Sequence, residues 1–363
     1  MSERARQMHA SPWLGVFYVT GGGAGLLAEL LNTPGASKSV LEATVPYASE
    51  SLARLLGRAP DQACSPVTAR QLAITAFEQA ESLLGAAELG QMPFGFGLTA
   101  SLATDRTKKG THRAHWAIQT ASDTYTFTVT YDANLDRAAE EAALLEQIWN
   151  TLSHCFLDPS TALDESLVTL HAPATPDRQG LLHHSPYRHC IGQHDGLLLL
   201  PGSFNPLHEG HRQMLDIAER ITNLPGAFEL AVRNADKPSL DFVSISERTD
   251  GIADKPVWLT NTPTFEGKAK LFPGATFALG VDTLERIGQL RFYRNHPDLL
   301  EQALHTFEAQ DIRFVVFGRQ IDGAFKTLAD LAIPQALHDR CVAISEAAYR
   351  DDSSSTEIRA RGE

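Results

Sequence analysis

The 363-residue sequence is poor in cysteine, has no long apolar run and carries no excess of positive charge. Its four cysteines, Cys64, Cys155, Cys190 and Cys341, are scattered with no C-x-x-C pair. That argues against a disulfide framework and fits a reducing compartment. No stretch approaches the ~20 apolar residues that cross a bilayer. Residues 1–10 are polar and lack the apolar core of a signal peptide. The expected location is the cytoplasm, with no membrane partner. Asp and Glu number 44 against 31 Lys and Arg, a formal net charge of −13. Nucleic acid selects basic surfaces, so it is not an expected partner. Small anionic substrates stay open, because a local positive cleft can focus them. At roughly 150 residues per domain, the length suggests two domains.

The strongest positive signal begins at the apolar run of residues 197–200, which reads as a buried parallel strand. Gly202-Ser203-Phe204-Asn205-Pro206-Leu207-His208-Glu209-Gly210-His211 follows. Met214, Leu215, Ile217, Ala218 and Ile221 then repeat at helical spacing. Two histidines three residues apart therefore open a helix directly after a strand, with both imidazoles on one face. The helix start also offers unpaired N–H groups and a positive dipole end, where phosphates bind well. Gly202 lets the chain leave the strand sharply, Pro206 stiffens the approach, and Gly210 leaves room for a ligand near the backbone. Each neutral imidazole donates one N–H, and a protonated one adds charge. The plainer reading is a helix whose two histidines are merely exposed. The ten residues resemble the H-x-G-H signature of the nucleotidylyltransferase superfamily. That superfamily includes cytidylyltransferases, pantetheine-phosphate adenylyltransferase and nicotinamide mononucleotide adenylyltransferase. The resemblance implies catalytic roles for His208 and His211, and nucleotide binding by Gly202, Ser203, Phe204, Asn205 and Gly210.

Along the chain, two similar halves flank a different middle. In the first half residues 16–19 read as a strand, Gly21-Gly22-Gly23 as a turn, and Leu26, Leu27, Leu30 and Leu31 as a helix face. Residues 124–129 alternate like a half-buried strand, and 135–155 read as a long helix. Periodicity fades from 158 to 194. The expected domains are 1–170 and 195–363, joined by a linker over 171–194. In the second half, residues 228–232, 257–259, 276–279 and 313–317 are strand candidates alternating with helices. The expected fold class is α/β: two domains, each a mostly parallel sheet with helices on both faces, the second Rossmann-like.

In such a sheet ligands sit outside the carboxyl ends of the strands. Lys237, after the second strand of this half, is a point charge suited to a substrate phosphate or simply a solvated lysine. Gly280-Val281-Asp282 resembles the G-x-D segment of nicotinamide mononucleotide adenylyltransferases, whose carboxylate helps hold a nucleotide. Asp282 also suits a helix N-cap. Arg319 faces either the phosphates or solvent. Ser354-Ser355-Thr356-Glu357-Ile358-Arg359 resembles the same superfamily's I-S-S-T-x-I-R signature, with Ser353 at the usual Ile. It implies phosphate contacts from Ser354, Ser355, Thr356 and Arg359. The segment also reads as a capping box. The implied reaction is attack of a substrate phosphate on the α-phosphate of a triphosphate, with Mg²⁺ accompanying the triphosphate.

The first half has Thr20-Gly21-Gly22-Gly23 before Leu26-Leu27-Ala28, then Pro34-Gly35-Ala36-Ser37 and Val45-Pro46-Tyr47. These resemble the CinA C-terminal family, which includes nicotinamide mononucleotide deamidases. The family's catalytic serine falls on Gly21, and Leu52 stands at its lysine position. The resemblance therefore implies a non-catalytic domain. Gly21, Gly22 and Gly23 remain a second phosphate-site candidate, because successive N–H groups can form a nest. A second glycine loop, residues 95–102, is expected to face it. The chain as a whole resembles fused proteins in which a CinA-like half precedes a cytidylyltransferase-like half. His171, His183, His184, His189, Cys190 and His194 match no common metal spacing, so no metal site is expected. The leading expectation is a nucleotidylyltransferase acting on nicotinamide mononucleotide with ATP. Other acceptors are a cytidylyltransferase substrate or phosphopantetheine. A catalytically silent nucleotide-binding regulator and a homo-oligomer also stay open.

Overall fold

The computed structural model describes residues 2–85, 90–105, 110–132, 134–234, 237–252, 254–321 and 323–351. The tail signature with Ser354, Ser355, Thr356 and Arg359 lies outside the described residues. The architecture is α/β, in two compact units. Unit 1 is Met1–Gln179 with Asp236–Ser244, and unit 2 is Gly180–Ala235 with Ile245–Glu363. Among the described residues no helix is long and apolar enough to cross a membrane.

Unit 1 runs α1 (Glu3–Ala10), β1 (Trp13–Thr20), α2 (Ala24–Asn32), β2 (Val40–Thr44), α3 (Ser49–Leu55) and α4 (Pro66–Leu84). Then come β3 (Met92–Ser101), β4 (His112–Gln119), β5 (Asp123–Tyr131), α5 (Arg137–Phe156), β6 (Val168–Pro173) and α6 (Pro176–Gln179). The strand order is β2-β1-β3-β4-β5-β6. β1 pairs with β2 and β3 in parallel, whereas β3–β4, β4–β5 and β5–β6 are antiparallel. The expected mostly parallel sheet thus holds only at one end. The turn from Gln119 to Asp123 is far too short for a crossover, so it can only be a hairpin.

Both faces of this sheet are covered. Phe17, Phe94, Phe96 and Leu98 pack with Leu30 of α2 and with Leu144, Ile148 and Trp149 of α5. Val16 and Tyr18 pack on the other face with Leu52, Leu72 and Ala76. The residues expected to form a second glycine loop are mostly strand: Gly95 and Gly97 alternate with Phe94, Phe96 and Leu98 in β3. A Cβ at Gly95 would lie 2.0 Å from the Ala73 carbonyl oxygen, and one at Gly97 2.4 Å from that of Ala69. The glycines let α4 rest directly on the sheet backbone. Local chemistry starts the helices: Ser65 accepts from the Thr68 amide ahead of Pro66, and Asp136 accepts from that of Ala139.

Residues 237–244 complete unit 1. Asp241 meets Arg70 Nε at 3.2 Å, with both side chains about 5% exposed or less. Ser239 donates to Glu78 at 2.5 Å, and the Phe242 amide donates to Thr124 Oγ1 at 3.0 Å.

Unit 2 runs β7 (Arg188–Ile191), β8 (Leu198–Gly202), α7 (Glu209–Thr222), β9 (Ala227–Ala231) and α8 (Phe242–Asp250), whose first three residues count with unit 1. It continues with β10 (Val257–Thr260), α9 (Phe265–Leu271), β11 (Thr276–Gly280), α10 (Val281–Gly288), α11 (Pro297–Ala309) and β12 (Arg313–Phe317). A small hairpin, β13 (Arg319–Ile321) with β14 (Ala324–Lys326), then α12 (Gln335–His338) and β15 (Cys341–Ile344) end it. The strand order is β15-β12-β11-β8-β9-β10-β7, parallel throughout except for β7. The chain winds outward from β8 to β9 and β10, then returns to β11 and winds the other way. The order therefore reverses between β8 and β11, which is where doubly wound sheets hold ligands.

Residues 171–194, expected as a linker, are structured. β6 pairs with β5, and β7 pairs antiparallel with β10. Between them Asn261 reaches the carbonyls of Gly180, His183 and Ser185, and accepts from the Tyr187 amide at 2.7 Å. The periodicity faded there because β6 is an edge strand, exposed along most of its length.

Candidate functional site

The reversal point is occupied by a cavity of about 300 Å³. Gly202, Ser203, His208, His211, Gly280, Asp282 and Arg319 all line it, as do Met214, Thr283, Phe317, Gly318, Tyr349 and Asp351. These come from the carboxyl ends of β8, β11 and β12, from the first turns of α7 and α10, and from the chain after β15. Seven expected site residues thus converge from segments far apart in sequence.

The turn from β8 to α7 is built around Phe204. Its φ is 42°, unusual for a bulky residue, and its ring is 2% exposed. The ring meets His211 edge-on at 5.3 Å and Phe228 at 5.0 Å. A Cβ at Gly202 would strike that ring at 2.5 Å. Phe204, expected as a nucleotide-binding residue, is instead a buried prop beneath His211. Asn205 precedes a cis proline and does not line the cavity. Arg248 donates to the Ser203 carbonyl at 2.8 Å and ties the loop down.

His208 occupies the N-cap position of α7 without a side-chain cap bond, and its amide donates to Nδ1 of His211 at 3.3 Å. His211 therefore carries its proton on Nε2. The two rings stand 3.8 Å apart at 37°. Burial pushes His211 down to about 3, helped by the nearby His208 and Arg319. Burial also lowers His208, against the opposing pull of Asp351. Arg319 Nη1 lies 3.5 Å from Asp282, which sits in the first turn of α10. Neutral imidazole donors, a guanidinium and a helix start suit oxygens of a phosphate better than any cation.

Gly210 and Lys237, like Phe204 and Asn205, do not line the cavity. Gly210 lies against Asp351: a Cβ there would lie 1.7 Å from its Oδ2. Lys237 is exposed, belongs to unit 1 and does not line the cavity. Asp351 and Tyr349 were not foreseen. Tyr349 donates to the Gly210 carbonyl at 3.2 Å and packs edge-on to Phe317 at 5.1 Å. Proximity to the tail signature was the one available hint.

The glycine turn of unit 1 already holds an anion of its own. The Gly23 amide donates to Glu141 Oε2 at 2.7 Å. Arg137 bonds Glu141 Oε1 at 2.7 Å and the Gly21 carbonyl at 3.0 Å. Behind it, Glu140 accepts from the Ala103 amide at 2.6 Å and from His112 Nδ1 at 2.5 Å. A Cβ at Gly21 would lie 1.9 Å from the Ala100 carbonyl oxygen, so no serine fits this backbone. Leu52 is buried in the core, and Thr20 Oγ1 donates to the Pro46 carbonyl at 3.1 Å.

No protein-family model matches the chain, and no curated protein matches it. Among solved structures it is similar to the competence/damage inducible protein CihA of Agrobacterium tumefaciens. The identity is 20% over 41% of this chain and 92% of that one, with a TM-score of 0.34. It is similar to a competence-damaged protein (CinA) superfamily protein of Escherichia coli at 16% identity, over 42% of this chain and 85% of that one, with a TM-score of 0.32. A CinA superfamily protein of Klebsiella pneumoniae is similar at 16% identity, over 42% and 91% of the two chains, with a TM-score of 0.31.

Proposed function

We propose that unit 2 is a nucleotidylyltransferase. It transfers a nucleoside monophosphate from a triphosphate, ATP, to a phosphorylated acceptor, nicotinamide mononucleotide, and releases pyrophosphate. The observation that carries the reading is the His208–His211 pair at the start of α7, at the point where strand order reverses. The choice of acceptor rests on the resemblance of Gly280-Val281-Asp282 to the G-x-D segment.

In this reaction an acceptor phosphate oxygen attacks the α-phosphorus. The bond to the bridging oxygen breaks, and pyrophosphate carries away the electron pair. The protein's work is alignment and charge neutralisation. His211 offers Nε2–H, Arg319 offers its guanidinium, and His208 faces the same cavity. Among the described residues no three His, Cys, Asp or Glu side chains group to hold a metal. Magnesium would come with the triphosphate as part of the substrate and supply its charge to the phosphate oxygens.

Unit 1 serves as a non-hydrolytic module. Nucleophilic catalysis needs an activated oxygen or sulfur near a base, and Gly21 and Leu52 supply neither. The test is the full chain with each nucleoside triphosphate and a panel of phosphorylated acceptors, following pyrophosphate, with ammonia release from nicotinamide mononucleotide read alongside. Pyrophosphate without ammonia supports the reading. No pyrophosphate from any pair overturns it, and ammonia release overturns the assignment of unit 1.

A further inference from the structure

The stretch after β15 returns over the start of α7 and is fastened there by Tyr349, whose hydroxyl bonds the Gly210 carbonyl. This seats the Asp351 carboxylate in the space that Gly210 leaves by having no side chain. Oδ2 of Asp351 then lies 4.0 Å from Nδ1 of His208. Among the described residues that nitrogen is buried and has no hydrogen-bond partner. The next ring differs: Nδ1 of His211 accepts from the His208 amide. His211 cannot take a second proton without breaking that bond. His208 is the ring of the pair that is free to become charged.

We propose that Asp351 is a positioning residue for His208: its carboxylate holds the proton on Nδ1, so that a proton the ring takes up from solvent sits on Nε2 and is offered to a substrate phosphate. The inference rests on the nucleotidylyltransferase reading of this cavity. It divides the labour of the two histidines. His211 is a fixed neutral donor, and His208 is a donor whose charge rises when phosphate enters. The 4.0 Å separation closes in the bound state, as hydrogen bonds at reacting centres commonly do. Among the described residues the groups facing His208 are His211 on its own helix, Arg319 beyond β12, Asp282 paired with Arg319, and Tyr349 and Asp351 beyond β15. Of these, Asp351 is the carboxylate beside Nδ1, while the Arg319 cation opposes charge on the ring.

The test is nuclear magnetic resonance of ring nitrogens in the full, histidine-labelled chain, comparing native protein with Asp351→Asn. His208→Gln assigns the signal. Native His208 is expected as the Nδ1–H tautomer. In Asp351→Asn the tautomer becomes mixed, and the titration midpoint of His208 falls by about one pH unit. Inorganic pyrophosphate should raise that midpoint in the native chain and raise it less in the variant. Asparagine is nearly isosteric, so the seat against Gly210 is kept. Gly210→Ala, which pushes the carboxylate away, provides a second route to the same signature. A folded Asp351→Asn with unchanged His208 tautomer overturns the proposal, and so does a response confined to His211. The ring signals do not depend on turnover. Tautomer control without pyrophosphate release would sink the reaction and leave the positioning role. Pyrophosphate release with an indifferent His208 would do the reverse.

Discussion

The backbone amide of Gly23 donates to the carboxylate of Glu141, which Arg137 holds from the other side. A turn that could receive a phosphate thus receives a side chain. Glu141→Ala is expected to cost about 1–3 kcal/mol, the usual penalty for orphaning a buried donor. Urea unfolding measures it. Added phosphate should recover part of the loss in the variant and do nothing for the native chain. Equal recovery in both would show that the carboxylate does not fill an anion seat.

Replacing His208 or His211 by Ala should lower turnover by roughly 10²–10³, as for loss of one transition-state donor. The fold should persist, because Leu215, Ile217 and Ala218 anchor α7 independently of its first turn. Near-native pyrophosphate release by both single variants would remove the site assignment.

Stability should fall in mild acid. Burial pushes His115 down to about 4, aided by Arg113, and His211 to about 3. In the unfolded chain both return to roughly 6.5. The unfolded state therefore takes up protons first as pH falls. The stabilisation is full above roughly 6.5 and drains as pH drops toward the folded values, by roughly 3 kcal/mol for His115 alone. Urea midpoints at neutral and mildly acidic pH check this. His115→Gln should flatten the dependence of unit 1, and an unchanged slope would show that His115 is not responsible.

Gly97→Ala adds a methyl 2.4 Å from the Ala69 carbonyl oxygen and the Ala73 amide. Those are backbone atoms in the middle of α4, which cannot swing aside. A loss of about 1–3 kcal/mol or more is expected, read as a lower thermal midpoint. Gly110→Ala, with nothing within 4 Å of its Cβ, is the matched control.

The parts of the molecule that were readable from sequence are those whose signal is local. The run at 197–200 with the helical spacing after it gave β8 and α7, and the strands at 257–259, 276–279 and 313–317 were read within a residue. The parts that escaped depend on distant partners. β7 pairs with the distant β10, and Asp241 is buried against the distant Arg70. Phe204 looked like a ligand contact because the motif gives its identity and not its direction. Gly95 and Gly97 looked like a loop because glycine suggests turns. Their alternation with Phe94, Phe96 and Leu98 was the strand period, hidden by the missing side chains on one face.

Domains generally fold as they leave the ribosome, the N-terminal one first. Unit 1 cannot follow that order, because its last piece, residues 236–244, is made after β7, β8, α7 and β9 of the other unit. Until Asp241 emerges, the Arg70 guanidinium lacks the buried carboxylate that it meets at 3.2 Å in the finished unit, and breaking such a pair is costly. Nascent chains arrested just before and well after residue 241 should therefore differ sharply in protease resistance across residues 2–179. Equal resistance would mean that unit 1 matures alone. Synthesis of this protein is thus a single event in which the first half waits, still unfinished, for a strap delivered by the second.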